Sequence, residues 1–262
     1  MELDKIITGD SAIVLQSFPP DCIDLTVTSP PYDNLRTYNG FVFDFETIAK
    51  QLFRVTKVGG VVVWVVGDAT INGSETLTSF KQALYFRECG FNVETMIYKK
   101  AGTGGKGSNK YYYPEFEYMF IFAKGEPITS NRLKDKRNKS YGHLNSQGKK
   151  NLLVSKTGII NKPYRTAEYG YRGNIWEYGH GNRHWDVTNH PAPFPEALAR
   201  DHILSWSNPD DIVLDPMCGS GTTLKMAREL GRHWIGIDIS QSYCELSQRR
   251  VDGARVPLPG LV

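Results

Sequence analysis

The residues best suited by type and spacing to do chemistry fall in two short segments far apart in the chain. The later one reads Ile212-Val213-Leu214-Asp215-Pro216-Met217-Cys218-Gly219-Ser220-Gly221-Thr222-Thr223. An apolar run meets an acid, then a Gly-rich turn, then a helical pattern. Glycines let the main chain approach a ligand closely and adopt positive φ. A helix start offers N–H groups to a carboxylate. Further on, Gly236-Ile237-Asp238 closes another apolar run. An acid about 20 positions past a Gly-rich turn suits a ribose diol. A lone turn of this kind could equally bind a nucleotide, but no Gly-Lys-Ser/Thr is present, which disfavours a phosphate-cradling loop. The turn and Asp238 together favour S-adenosylmethionine, whose methionyl end carries a carboxylate.

The earlier segment is Thr28-Ser29-Pro30-Pro31-Tyr32, directly after the apolar run Ile23–Thr28. In isolation it could be a proline-stiffened turn. Its chemistry suits an exocyclic amine on a base, which is a poor nucleophile because its lone pair is delocalised into the ring. Acceptors on the two amine hydrogens favour a pyramidal nitrogen and free that lone pair. The Ser29 hydroxyl and the Pro30 carbonyl can be those acceptors. The prolines fix the backbone so that the carbonyl points outward. Tyr32 offers a flat face for a base taken out of the duplex.

These segments need a scaffold, and the chain supplies alternating patterns. Strands are expected at Asp4–Thr8, Ile23–Thr28, Val61–Val66, Asn92–Tyr98, Glu117–Ala123, Ile212–Leu214 and Trp234–Ile239. Helices are expected at Phe45–Val55, ended by Gly59-Gly60, and at Leu77–Cys89, Pro195–Trp206, Thr222–Leu230 and Gln241–Arg250. The alternation predicts an α/β fold, a doubly wound and mostly parallel sheet. Residues 124–185 break the rhythm and are rich in Lys, Asn, Ser, Gly and Tyr. They read as an insertion between two parts of one domain, 1–123 and 186–262.

Composition is that of an ordinary globular chain of 262 residues, 40% hydrophobic and 23% charged. No apolar run reaches membrane-spanning length, and the first residues do not read as a secretory signal. Four scattered cysteines suit a reducing cytoplasm. Cys218 reads as a small buried filler, since no Pro-Cys pair sits at a catalytic strand end. His180 and His184 are flanked by Gly179 and Gly181, so no helical metal pair is expected.

The net charge of +3 is unevenly spread. From Lys124 to Arg172 there are 12 Lys+Arg against 3 Asp+Glu. Such asymmetry is consistent with a face for a polyanion or with a solvated basic loop. Lys99, Lys100, Lys106 and Lys110 lie in a Gly-rich, acid-free stretch that reads either as a loop closing over DNA or as a surface loop. Lys134, Lys136, Arg137 and Lys139 are further candidates for DNA phosphates.

Taken together, Ser29-Pro30-Pro31-Tyr32 and Asp215-Pro216-Met217-Cys218-Gly219-Ser220-Gly221-Thr222-Thr223 resemble the two signatures of amino-methylating DNA methyltransferases. Their order, catalytic motif first, resembles the β class, with a circularly permuted S-adenosylmethionine-dependent methyltransferase fold and a target-recognition region between the motifs. The resemblance covers nearly the whole chain outside the insertion. It implies catalytic roles for Ser29, Pro30, Pro31 and Tyr32. It implies cofactor contacts from Asp10, Asp215, Met217, Gly219, Ser220, Gly221, Thr222 and Asp238. It also implies them from Pro191 and Phe194, in a segment that closes the cofactor pocket. Met217 stands where the family usually has Phe, and Met is a soft substitute. In this family Ser at position 29 goes with cytosine N4, and Asp or Asn with adenine N6.

The implied activity is methylation of cytosine N4 in double-stranded DNA, by base flipping and direct in-line transfer, with no metal. The implied setting is a prokaryotic cytoplasm and a cognate restriction endonuclease as functional partner. Oligomeric state stays open, a homodimer included. The competing readings are an adenine-N6 enzyme on the same scaffold, an RNA or small-molecule methyltransferase, and a DNA-binding protein without catalysis.

Overall fold

Short apolar runs bounded by turns become the strands of one central sheet in the computed structural model, which describes residues 1–31, 43–101, 112, 114–145, 164–179 and 195–255. The strands are β1 (Lys5–Thr8), β2 (Ile23–Thr28), β3 (Thr56–Val66), β4 (Asn92–Ala101), β5 (Phe116–Ala123), β6 (Ile175–Gly179), β7 (Ile212–Asp215) and β8 (His233–Asp238). Their order across the sheet is β1-β8-β7-β2-β3-β5-β4-β6. All pair in parallel except β5, which runs antiparallel to β3 and β4. The fold is α/β with a mostly parallel sheet, as the alternation of patterns predicts.

Parallel strands covered on both faces read as continuous apolar runs. Val61, Val62, Val63, Trp64, Val65 and Val66 of β3 are all buried. Alternate residues point to opposite faces, so both faces are covered. On one face, Val62, Trp64 and Val66 share a core with Ile48 and Leu52 of helix α2 (Phe45–Val55) and Phe86 of helix α3 (Thr78–Glu88). Helices α4 (Glu196–Trp206) and α5 (Thr222–Glu229) pack against the sheet, α4 on β2 and β3, α5 on β7 and β8. Helix α6 (Gln241–Asp252) packs on β1 and β8. A short helix α1 (Ser11–Val14), which no apolar spacing predicts, follows β1 and is capped by Asp10.

Two boundaries differ from expectation. Helix α2 ends at Val55, and β3 begins at once with Thr56, so Gly59-Gly60 lies inside the strand. The pairing with β2 jumps there, from Ile23↔Thr56 to Leu25↔Val61. A Cβ on Gly60 would come within 2.9 Å of the Asp24 carbonyl, so only glycine fits the irregularity. The expected insertion at 124–185 is also narrower as a compact unit, spanning Arg132–Gly173. Residues 175–179 form β6 and pair with β4. Trp176 of β6 is buried and stacks on His202 of α4 at 4.5 Å, and the Tyr178 hydroxyl donates to Asp201 at 2.7 Å.

The unit Arg132–Gly173 is held by two short antiparallel ladders. Lys136–Arg137 pairs with Tyr169–Gly170, and Leu144–Asn145 with Tyr164–Arg165. Arg172 forms an ion pair with Asp135, and its N–H donates to the Leu133 carbonyl at 2.9 Å. Across the described residues, no helix is long and apolar enough to cross a membrane.

Candidate active site

Strand order reverses between β7 and β2, and in an open α/β sheet the crevice at such a point holds ligands beyond the carboxyl ends of the strands. Both motifs sit at those ends. β7 delivers Asp215 and the Gly-rich turn, and β2 delivers Thr28, Ser29 and Pro30. One buried hydrogen bond joins them: the Thr28 hydroxyl donates to Asp215 Oδ1 at 2.7 Å across 187 residues of chain. The same oxygen accepts the Met217 N–H at 3.1 Å. Thr223 adds a second tie, donating to the Val27 carbonyl at 3.0 Å. Neither threonine stands out in the sequence, where nothing shows which strands become neighbours.

Asp215 is fully buried, and desolvation pushes its carboxyl up to about 6, opposed by the Thr28 hydroxyl and the Met217 N–H. Asp238 is also raised by burial, opposed by the N–H groups of Ser240 and Gly219. A carboxyl raised in the folded state binds its proton more tightly there than in the unfolded chain. Its protonated form therefore stabilises the fold at low pH, and that gain disappears as pH rises. For Asp215 the window runs from 3.8 to about 6, and the effect is on the order of 2–3 kcal/mol. The thermal midpoint is expected to fall across this window, and Asp215→Asn to make the fall shallower. Midpoints of parent and variant measured from about pH 4 to 7 check this; parallel curves would remove Asp215 as the cause.

The Gly-rich turn is clamped from several sides. Asp238 Oδ2 accepts the Gly219 N–H at 2.8 Å, and Oδ1 accepts that of Ser240 at 2.9 Å. Gly219 and Gly221 both have positive φ, 48° and 75°. A Cβ on Gly221 would fall 2.1 Å from the Ser247 hydroxyl, so the turn lies too close to α6 for any side chain. Ser11 adds a bond from its hydroxyl to the Pro216 carbonyl. Asp10 caps α1 by accepting the Ala12 N–H at 2.8 Å, and the Gly9 N–H donates to the Asp238 carbonyl at 2.9 Å. Asp10, Asp215 and Asp238 therefore stand at the carboxyl ends of three adjacent strands. α5 follows Gly221, which caps it without a side-chain hydrogen bond. A main-chain turn, a helix start without a side-chain cap, one buried carboxylate and one half-buried carboxylate form a donor and acceptor set that fits S-adenosylmethionine.

Ser220 and Thr222 are buried, and their hydroxyls face Arg250 at 2.9 and 3.3 Å. Met217 is half-buried against the apolar core. Cys218 is buried, and burial pushes its thiol well up, against any nucleophilic role. Lys99 and Lys100 belong to β4 rather than to a loop, and they pair with Glu177 at 3.2 Å and Glu117 at 2.5 Å. Those acids offset the charge expected to meet phosphates. Lys134, Lys136, Arg137 and Lys139 lie in the unit Arg132–Gly173, with Lys136 and Arg137 exposed on its first ladder. Tyr32, Lys106, Lys110, His180, His184, Pro191 and Phe194 lie outside the described residues. Among the described residues, no three His, Cys, Asp or Glu side chains come together as metal ligands.

Comparison with known proteins points the same way as the geometry. A family model described as DNA methylase, of the N6/N4 type, matches residues 23–249. The orphan methyltransferase M.BamHII of Bacillus amyloliquefaciens is 52% identical over 238 residues, covering 88% of this chain and 89% of its own. The DNA adenine methyltransferase YhdJ of Escherichia coli (strain K12) is 29% identical over 272 residues, covering 97% of this chain and 84% of its own. Among solved structures, a DNA modification methylase from Thermus thermophilus, complexed with S-adenosyl-L-methionine, shares the fold with a TM-score of 0.63 at 24% identity, covering 98% of this chain and 97% of its own.

Proposed function

We propose, from the premise that this chain belongs to the N6/N4 DNA methylase family, that it methylates an exocyclic base amine in double-stranded DNA using S-adenosylmethionine, with N4 of cytosine as the target. The observation that carries this reading is the buried bond from Thr28 to Asp215. It ties the amine-orienting segment and the cofactor turn to one crevice.

The residues divide the work. The first N–H groups of α5 meet the carboxylate of the cofactor. Asp238 meets its ribose, having lone pairs left beyond the two N–H bonds it accepts. Asp10 lies toward the adenine. When bound, the cofactor supplies a methyl group already activated on a sulfonium sulfur. Ser29 and the Pro30 carbonyl orient the amine for in-line attack, with reacting atoms about 3 Å apart. Tyr32 holds the flipped base by stacking. The proton leaves the amine to solvent, and no covalent adduct with the protein forms.

Ser29 within Ser-Pro-Pro-Tyr supports cytosine. The name of the Escherichia coli relative supports adenine N6 as the second reading. Digestion and mass analysis of DNA from cells expressing the protein separates them. N4-methylcytosine supports the proposal, N6-methyladenine moves the target base, and an unmodified genome overturns the activity. The resemblance to restriction–modification enzymes supports protection of host DNA from a cognate endonuclease. The word orphan in the name of the 52% relative supports a methyltransferase acting without one.

The unit Arg132–Gly173 is read as the DNA-recognition part. Arg132 and Lys134 lie 4.1 and 5.0 Å from the ring of Tyr171, and Lys136 and Arg137 share one short ladder. Replacing Lys134, Lys136, Arg137 and Lys139 by Gln is expected to weaken DNA binding and flatten its salt dependence. The log–log slope should drop by about 0.9 for each phosphate that the variant no longer neutralises. Titrations between low and moderate salt check this, and an unchanged slope would place the four residues away from the DNA backbone.

A further inference from the structure

One guanidinium holds the Gly-rich turn from behind. Arg250, in the last turn of α6, has a side chain only 14% exposed. Its Nη1 donates to the Ser220 carbonyl at 2.6 Å, to the Ser220 hydroxyl at 2.9 Å and to the Thr222 hydroxyl at 3.3 Å. Its Nη2 donates to Glu196 Oε1 at 2.8 Å, and Lys225 donates to the same oxygen at 2.8 Å. The start of α4, the first turns of α5 and the end of α6 thereby converge on one peptide.

That peptide joins Ser220 to Gly221. Its carbonyl is taken by Arg250, and its N–H donates to the Cys218 carbonyl at 2.7 Å. With both ends fixed, it cannot rotate, although the glycine beside it would otherwise permit rotation. It leads straight into the first turn of α5, which has no side-chain cap. The direction of the N–H groups at that helix start depends on this one plane. A turn set in advance avoids the ordering cost that a loose turn incurs on binding. A planar fork suits this task, because it can reach a carbonyl, two hydroxyls and a carboxylate at once, whereas an ammonium is a single point.

We infer that Arg250 is a positioning residue for the cofactor, acting through the Ser220–Gly221 peptide, with Glu196 holding the guanidinium in place. The inference rests on the methyltransferase reading and names a determinant of cofactor affinity within it. Arg250 does not touch the reacting atoms, so its loss affects cofactor binding and leaves the rate at saturation nearly intact.

The test compares the parent with Arg250→Met, Arg250→Lys and Glu196→Gln. Calorimetry gives the Kd for S-adenosylmethionine, and steady-state assays give kcat and separate KM values for cofactor and DNA. Arg250→Met is expected to raise the cofactor Kd and KM about tenfold or more, with kcat and the DNA KM within about twofold. Arg250→Lys should rescue part of the loss, and Glu196→Gln should raise cofactor Kd by about threefold. If Arg250→Met does not fold, the other two variants decide on the same criteria. Variants that bind S-adenosylmethionine as the parent does would overturn the assignment, and so would parallel losses in cofactor affinity, DNA affinity and kcat. A parent that binds no S-adenosylmethionine overturns the methyltransferase reading as well.

Discussion

Replacing Ser29 by Ala is expected to lower the single-turnover rate of methyl transfer by about 10²–10³, the effect of removing one well-placed polar group at a reacting centre. Affinity for S-adenosylmethionine should stay near that of the parent. Ser29 directly follows Thr28, whose hydroxyl is buried against Asp215. The backbone that carries Ser29 is therefore held from the residue before it, and from Pro30 after it. The change removes a hydroxyl without moving the chain. On the proposed mechanism, what is lost is an acceptor that draws a hydrogen of the base amine out of the ring plane and exposes the nitrogen lone pair. The methyl donor needs no activation by the protein, so orientation of the amine is the main task left at this end of the crevice. The measurement is one turnover at saturating DNA and cofactor. A rate within twofold of the parent would remove Ser29 from the mechanism. A methyl or base adduct trapped on any side chain would overturn direct transfer.

Asp238→Ala is expected to weaken S-adenosylmethionine binding by about ten- to a hundredfold, because two losses combine. The first is the proposed charge-assisted bond to a ribose hydroxyl. The second is visible in the free protein: both carboxylate oxygens hold backbone N–H groups, that of Gly219 at 2.8 Å and that of Ser240 at 2.9 Å. Alanine leaves these donors without their acceptor and frees the turn that presents α5. Asp238→Asn separates the two effects. It retains one oxygen, but its amide nitrogen then faces a backbone N–H where an acceptor stood. Calorimetry on both variants checks the ordering, with Ala and Asn both weak and Asn the milder. A cofactor affinity equal to the parent's in Asp238→Ala would count against this placement of the site.

The sequence by itself made most of the strands and helices legible, together with the two motifs from which the chemistry is proposed. Ile212-Val213-Leu214-Asp215 had to be a buried strand meeting an acid, because a short apolar run bounded by turn residues has no other economical place in an α/β chain. The glycines at 219 and 221 announced a turn with positive φ, and the prolines at 30 and 31 a stiff exit from a strand. Such signals are local: each depends on residues within a few positions of one another. For the same reason the helices α2 to α6 fall close to where their apolar spacing puts them.

The tertiary structure decided everything that depends on which strands lie side by side. Only the reversal of strand order between β7 and β2 brings Thr28 to Asp215, and it turned two ordinary threonines, 28 and 223, into the ties between the motifs. It turned the Ser220 and Thr222 hydroxyls toward Arg250. It drew residues 175–179 out of the apparent insertion and into the sheet, where Trp176 finds His202 and Tyr178 finds Asp201. It placed Lys99 and Lys100 opposite acids rather than in an open basic loop. Strand pairing and side-chain direction are set by contacts between segments remote in the chain, and periodicity carries no record of those contacts.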